Sequence, residues 1–164
     1  MSVEFKLAKS LEGMLLFMTS SQKSLIEEHL HEWLQNNDVF VLDSTERIEK
    51  VVLLTGTIRS DPRALEMGIE LDHKHEIQPK AVFSVLNQKG EKNLGIIEMS
   101  STPIGLKDVG VLHTYAKMTN PKYALMLCQK SFSKELTYLL TDPNIGPRLM
   151  IYSEGRALQL LDFN

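Results

Sequence analysis

AVFSVLNQKGEKNLGIIEM, residues 81–99, is the stretch of the sequence that decides the fold. Two apolar runs flank a polar turn that contains Gly90, a pattern typical of a β-hairpin. The second run ends in an acid, Glu98, and hydroxyl residues follow Met99. We therefore predict two neighbouring strands of a sheet, the second of which places a carboxylate at its end.

A helix is predicted before this hairpin, over residues 19–38. Its apolar side chains recur at helical spacing, and its start fits a capping box formed by Thr19 with Gln22 or by Ser24 with Glu27. Beyond it, strands are predicted over residues 38–42, 50–58, 123–128, 148–153 and 156–163, with helices beginning at Pro103 and near Ser133.

Helices that alternate with strands predict an α/β fold in which helices flank a mixed central sheet. The chain of 164 residues contains neither a repeat nor a linker-like tract, so we expect a single domain, residues 1–164. Its formal net charge of −3 argues against a protein covered in basic charge for bulk nucleic-acid binding, although a local basic groove is compatible with it.

The cellular setting is predicted from one cysteine and from the apolar runs. Cys128 has no second cysteine for an internal disulfide, which favours an intracellular protein. No apolar run is long enough to span a bilayer, so we expect no membrane partner and a cytoplasmic location.

The order of these elements, from residue 19 to about residue 153, resembles the PD-(D/E)xK nuclease superfamily, and within it RecB-like and NucS-like endonuclease domains. The resemblance is carried by an acidic amphipathic helix, a hairpin that ends in an acid, a following helix and a strand–helix unit. The corresponding stretches are SLIEEHLHEWLQNND, GIIEM, GVLHTY and YALMLCQKSFSKELTYLL. The resemblance implies a restriction-endonuclease-like sheet.

Such nucleases hold one or two divalent metals between an acid at the start of the hairpin and an acid at its end. The metal activates a water and stabilises charge on the phosphate, and a lysine two residues after the second acid positions that water. Glu98 matches the second acid, whereas Ser100 stands where the lysine is expected. Pro79 and Lys80 resemble the Pro-Asp pair with its acid replaced by a base.

One of three signature groups therefore remains, and we predict a catalytically degenerate nuclease-fold domain with no cofactor. A divergent, active endonuclease is the alternative. It would use Glu98 with a displaced acid, Glu70 or Asp72, and Lys80 as a substitute lysine. Glu98 and Asp72 would then hold Mg²⁺ or Mn²⁺, which prefer oxygen ligands.

Phosphate contacts without catalysis are predicted around the second long helix. Ser100 and Ser101 precede its N-terminus, which attracts anions, and Lys107, His113 and Lys117 lie along it. These residues indicate DNA or RNA as a partner. A protein partner remains an alternative, as does an unrelated α/β subunit that forms a homo-oligomer through its edge strands.

Overall fold

The computed structural model describes residues 18–37, 39–40, 42–67, 76–100 and 102–163. The elements in chain order are α1 (Ser20–Asn36), β1 (Arg47–Leu53), a 3-10 helix (Ile58–Ser60), α2 (Pro62–Leu65), β2 (Ala81–Leu86), β3 (Lys92–Ser100), α3 (Leu106–Thr119), β4 (Tyr123–Cys128), α4 (Lys134–Thr141), α5 (Gly146–Met150), β5 (Ile151–Ser153), β6 (Arg156–Ala157) and β7 (Gln159–Asp162).

Within the described residues, five strands form one mixed sheet in the order β1-β2-β3-β4-β7. β2 is antiparallel to β1 and β3, whereas β4 is parallel to both β3 and β7. Strands β1, β3, β4 and β7 therefore finish at the same end of the sheet, where β2 begins. We call this the carboxyl end. The predicted fold class, α/β with a mixed central sheet flanked by helices, is confirmed.

Two apolar clusters cover the two faces of the sheet. On one face, Leu30 and Leu34 of α1 pack against alternate residues of the strands, with Phe83 of β2 among them. On the other face, Val109 and Leu112 of α3 pack with the loops that follow β1 and with α4. Each strand residue thus belongs to the α1 face or to the α3 face.

The hairpin predicted over residues 81–99 is present, with Ala81 opposite Ile97 in the register. Its turn contains Gly90 at φ +79°, a left-handed conformation that glycine adopts without a Cβ clash. The side chain of Asn87 closes the turn, since its oxygen accepts the N–H groups of Lys89 and Glu91. Local residues therefore determine this turn.

Gly95 lies opposite Phe83 across the same hairpin, and the aromatic ring occupies the space of the missing side chain. A Cβ built at Gly95 would stand 2.1 Å from Cζ of Phe83. We expect Gly95→Ala to lower the free energy of unfolding by about 1–3 kcal/mol, because the buried ring must leave its rotamer. Urea melts measure the loss, and Gly95→Ala with Phe83→Leu should recover part of it. Equal stability of Gly95→Ala and wild type would contradict the ring contact.

Helix α1 confirms one of the two predicted capping boxes. Thr19 accepts the N–H of Gln22, and the Gln22 side chain accepts the N–H of Thr19. Asn37 ends the helix by donating to the carbonyl of Trp33 from both its backbone and its side chain.

The strand predicted over residues 38–42 is wrong for the residues of that segment that the structure describes. Val39 and Phe40 donate their N–H groups to the side-chain oxygen of Asn37, so a local turn replaces a strand ladder. Phe40 still reaches the core, where its ring meets Tyr123 edge-on at 5.1 Å between centroids. The apolar character of Phe40 therefore indicates that its side chain is buried in the core, and it does not indicate pairing in a strand.

The start of α3 also differs from the prediction. Pro103 is not the first helical residue, because Ile104 forms a parallel bridge with Phe132 and accepts the N–H of Ser133. The helix begins at Leu106, where Asp108 accepts the N–H of the preceding residue, Gly105, at 2.8 Å. A pairing with a distant segment thus delays the helix by three residues.

The C-terminal region contains more helix than predicted. Residues 146–150 form α5, because Asp142 accepts the N–H groups of Asn144 and Ile145 and Pro147 lies in the first turn. The strand predicted over 148–153 is therefore confined to β5. The strand predicted over 50–58 corresponds to β1, which already ends at Leu53. The strand predicted over 156–163 is divided into β6 and β7.

Candidate functional site

Glu98 lies at the carboxyl end of the sheet, near the end of β3. It shares the α3 face with Leu94 and Ile96, which precede it at strand spacing. Met126 of β4 is its neighbour on one side. On the other side the register continues from Ala81 opposite Ile97, so Lys80 stands opposite Glu98. In open α/β sheets this end is where ligands bind.

Lys80 lies close to Glu98. Its backbone N–H and its ammonium both favour the charged form of the Glu98 carboxylate. Its own carbonyl accepts the N–H of Leu54 at 2.9 Å, which fixes the backbone of Lys80 at the start of β2. The structure therefore brings together two of the four residues predicted for catalysis.

Burial raises the pKa of Glu98 to about 7 from the ordinary 4.5, and the nearby carboxylate of Asp108 adds to the rise. The Lys80 ammonium and N–H act in the opposite direction without cancelling the effect of burial. Both protonation states of Glu98 are consequently populated near neutral pH. Perturbed carboxyls of this kind are concentrated at functional sites.

Asp108 is the site residue that the sequence interpretation missed. It stands in the first turn of α3, held there by the Gly105 N–H. The available signal was its position three residues after the residue that caps the helix, because that turn follows the end of β3. Asp108 and Glu98 are thus two neighbouring carboxylates, and Lys80 is the base beside them.

Ser100 lies two residues after Glu98 on the same face of β3. Its hydroxyl donates to the carbonyl of Thr102 at 3.0 Å and accepts the N–H of Thr102 at 3.3 Å. The side chain is buried in this turn. A hydroxyl carries no positive charge, and this one is already hydrogen-bonded within the turn. Ser100 therefore cannot replace the lysine that the nuclease resemblance implies at this position.

The other predicted phosphate contacts are spread along α3. Lys107 is exposed in the first turn, close to the carboxyl end of the sheet. Lys117 is exposed about 15 Å further along, at a rise of about 1.5 Å per residue. Nε2 of His113 is 3.0 Å from the carbonyl oxygen of Ile151, so this ring joins α3 to β5. Lys107 is therefore the member of this group that stands closest to the carboxyl end of the sheet.

Glu70, Asp72 and Ser101 lie outside the described residues, and so do His73 and His75. Among the residues that the structure does describe, no group of three or more His, Cys, Asp or Glu side chains is arranged to hold a metal ion. Glu98 and Asp108 are two described acids that lie near each other at the carboxyl end.

The acids of α1 are not directed at this site. Glu27 accepts the Leu53 N–H at 2.9 Å and pairs with Arg63 at 2.9 Å, on the outer edge of β1. Glu28 and Glu32 are exposed. The described acids of α1 therefore stand apart from Glu98.

Exposed lysines and one exposed tyrosine lie on the segments next to the carboxyl end. The Ile104–Phe132 bridge brings the segment before α4 next to the start of α3, so Lys130 and Lys134 approach the end of the sheet that carries Lys107. Tyr138 follows Lys134 by one helical turn and is 73% exposed. We call Lys107, Lys130, Lys134 and Tyr138 the basic rim.

No protein family model matches the chain, and neither does any curated protein or solved structure. None of the described helices combines the length and the apolar character that crossing a membrane requires.

Proposed function

We propose that this chain is a catalytically degenerate nuclease-fold domain of the PD-(D/E)xK type that binds nucleic acid at the carboxyl end of its sheet. The observation that carries the proposal is the pairing of Lys80 with Glu98 across the hairpin. The order helix, three antiparallel strands, helix, parallel strand, from α1 to β4, supports the same assignment.

The chemistry of the pair explains why cleavage is not expected. In the nucleases that the chain resembles, a divalent cation is held between two acids at these positions. Here an ammonium supplies positive charge beside Glu98, and a lysine cannot activate a water as a metal does. Ser100, which occupies the position of the third signature group, is uncharged, and its hydroxyl donates a hydrogen bond to the carbonyl of Thr102.

Binding is supported by the basic rim. Lysine ammonium groups attract phosphates, and an exposed tyrosine offers a flat face on which an unpaired base stacks. Lys134 and Tyr138 lie one turn apart on α4, so one nucleotide can meet both. The single cysteine, Cys128, is buried and free, which agrees with a cytoplasmic setting for such a module.

The test is fluorescence anisotropy with labelled single-stranded DNA, duplex DNA and RNA. We expect Tyr138→Ala to weaken single-strand binding about 5- to 100-fold, from the lost stacking, while Tyr138→Phe retains it. Lys107→Ala with Lys134→Ala should weaken binding to all sequences and flatten its salt dependence. Lys89→Ala is the control, because Lys89 is exposed in the hairpin turn at the opposite end of the sheet. Absence of binding at low salt would refute the proposal.

A second candidate function is metal-dependent cleavage, and the proximity of Asp108 to Glu98 favours it. The two carboxylates would share a divalent cation with a displaced acid such as Glu70 or Asp72. Incubating the same substrates with Mg²⁺, Mn²⁺ or EDTA separates the two functions. Metal-dependent cutting that is lost in both Glu98→Gln and Asp108→Asn would establish the second function and exclude a degenerate site.

A further inference from the structure

Among the described strands, β1 lies at one edge of the sheet, and polar side chains of α1 occupy its outer edge. Gln35 accepts the N–H of Ile48 at 2.8 Å, and Nε2 of His31 lies 3.1 Å from the carbonyl oxygen of Ile48. At the other end of β1, Glu27 accepts the N–H of Leu53 at 2.9 Å. These backbone groups bond to a helix and are therefore directed away from β2.

The three side chains form a regular array. Glu27, His31 and Gln35 are spaced four residues apart, so they follow one line along α1. The line runs antiparallel to β1 and spans about 12 Å, against about 16 Å between Ile48 and Leu53 along the strand. Arg63 completes the array, since its Nη2 donates to the carbonyl of Leu53 at 3.3 Å. We call Glu27, His31, Gln35 and Arg63 the edge ladder.

An uncovered edge strand presents free N–H and C=O groups that pair with another chain. We infer that the edge ladder keeps β1 from pairing with β1 of a second copy of this chain. Antiparallel pairing of two identical edges is self-complementary and would join two sheets into one. At Ile48 and Leu53, near the two ends of β1, the edge ladder supplies by side chains hydrogen bonds that a second strand would otherwise supply.

Side-chain removal tests the inference. The variant Glu27→Ala/His31→Ala/Gln35→Ala uncovers the outer edge of β1. Its matched control is Glu28→Ala/Glu32→Ala/Asn36→Ala, which shifts each substitution by one residue to an exposed position of α1. Sedimentation equilibrium should show that the first variant self-associates at least about tenfold more tightly than wild type and control, the change expected when unmade backbone hydrogen bonds find partners.

Amide hydrogen exchange identifies the edge involved. In the ladder variant the amides of Ile48 and Leu53 should exchange faster at low concentration and regain protection as the chain associates. The single variant Gln35→Ala, at an exposed position, should accelerate exchange at Ile48 and leave Leu53 unchanged. A folded ladder variant that associates no more than its control would overturn the inference. So would a Gln35→Ala variant with unchanged exchange at Ile48, a result that does not require the triple variant to fold.

Discussion

Glu98→Gln is expected to stabilise the protein above pH 7 and to leave its stability unchanged near pH 4. The reason is the raised pKa of Glu98, about 7 in the folded chain against an ordinary 4.5. Between these two pH values the folded chain binds a proton at Glu98 that the unfolded chain has released. Stability therefore falls as the pH rises through this window, and the loss is complete above pH 7.

The size of the loss is up to about 3 kcal/mol at pH 8, which glutamine avoids because it carries no charge. Urea melts at pH 4, 6 and 8 measure the difference between the two proteins at each pH. Glu28→Gln serves as the control, because Glu28 is exposed on α1 and its substitution should give no pH-dependent difference. Parallel stability curves for wild type and Glu98→Gln would contradict the burial of an ionisable carboxyl at this site.

A destabilising carboxylate that the fold retains is a sign of function, since stability and activity often oppose each other at one residue. Glutamine at position 98 would keep the shape and lose the charge. Nucleic-acid binding should therefore be measured for Glu98→Gln together with its stability. The comparison with wild type shows whether the negative charge of Glu98 repels phosphate or has no part in binding. We expect tighter binding above pH 7, because one negative charge leaves the neighbourhood of Lys80.

Lys122→Met is expected to lower the free energy of unfolding by about 3 kcal/mol, the loss typical of a broken buried ion pair. The Lys122 ammonium contacts Glu46 at 2.5 Å and Asp43 at 2.6 Å, and the Glu46 side chain is only 2% exposed. Although burial lowers it, the hydrogen bonds to Asp43 and Glu46 hold the pKa of Lys122 above its ordinary value. Without the ammonium, the Glu46 carboxylate still accepts the hydrogen bond from the Tyr123 hydroxyl, but it loses its contact with a positive charge.

Two further variants make this prediction specific. Lys122→Met with Glu46→Gln should be more stable than Lys122→Met alone, since it leaves no buried charge unpaired. Lys92→Met removes the partner of Glu49 from a half-exposed ion pair and should cost no more than about 1 kcal/mol. If thermal or chemical melts rank Lys122→Met no lower than Lys92→Met, Glu46 is not held by its contact with Lys122.

Elements governed by neighbouring residues were predictable from the sequence. The hairpin follows from two apolar runs and the Asn87–Gly90 turn, and α1 follows from its capping box. Elements governed by distant contacts were not. The start of α3 depends on the pairing of Ile104 with Phe132, which lies 28 residues away in the sequence.

The same division applies to the site. Glu98 and Lys80 were predicted as site residues because GIIEM and the Pro79-Lys80 pair resemble the nuclease signature, and the structure places the two residues opposite each other across the hairpin. Asp108 was missed because its proximity to Glu98 depends on where α3 begins. The interaction of the α1 side chains with β1 was also missed, since a helix pattern predicts which face is apolar and not what its polar flank touches.

The position of β7 has a consequence for the order in which the chain can fold. Strands β1, β2 and β3 are consecutive and antiparallel, so they can pair as soon as residue 100 has been synthesised. β4 has buried side chains throughout, yet one of its edges is covered by a strand that begins at residue 159. Until β7 has been synthesised, an apolar strand stays open on one side, the state most exposed to aggregation. The pairing of β7 with β4 therefore governs how safely the nascent chain completes this sheet.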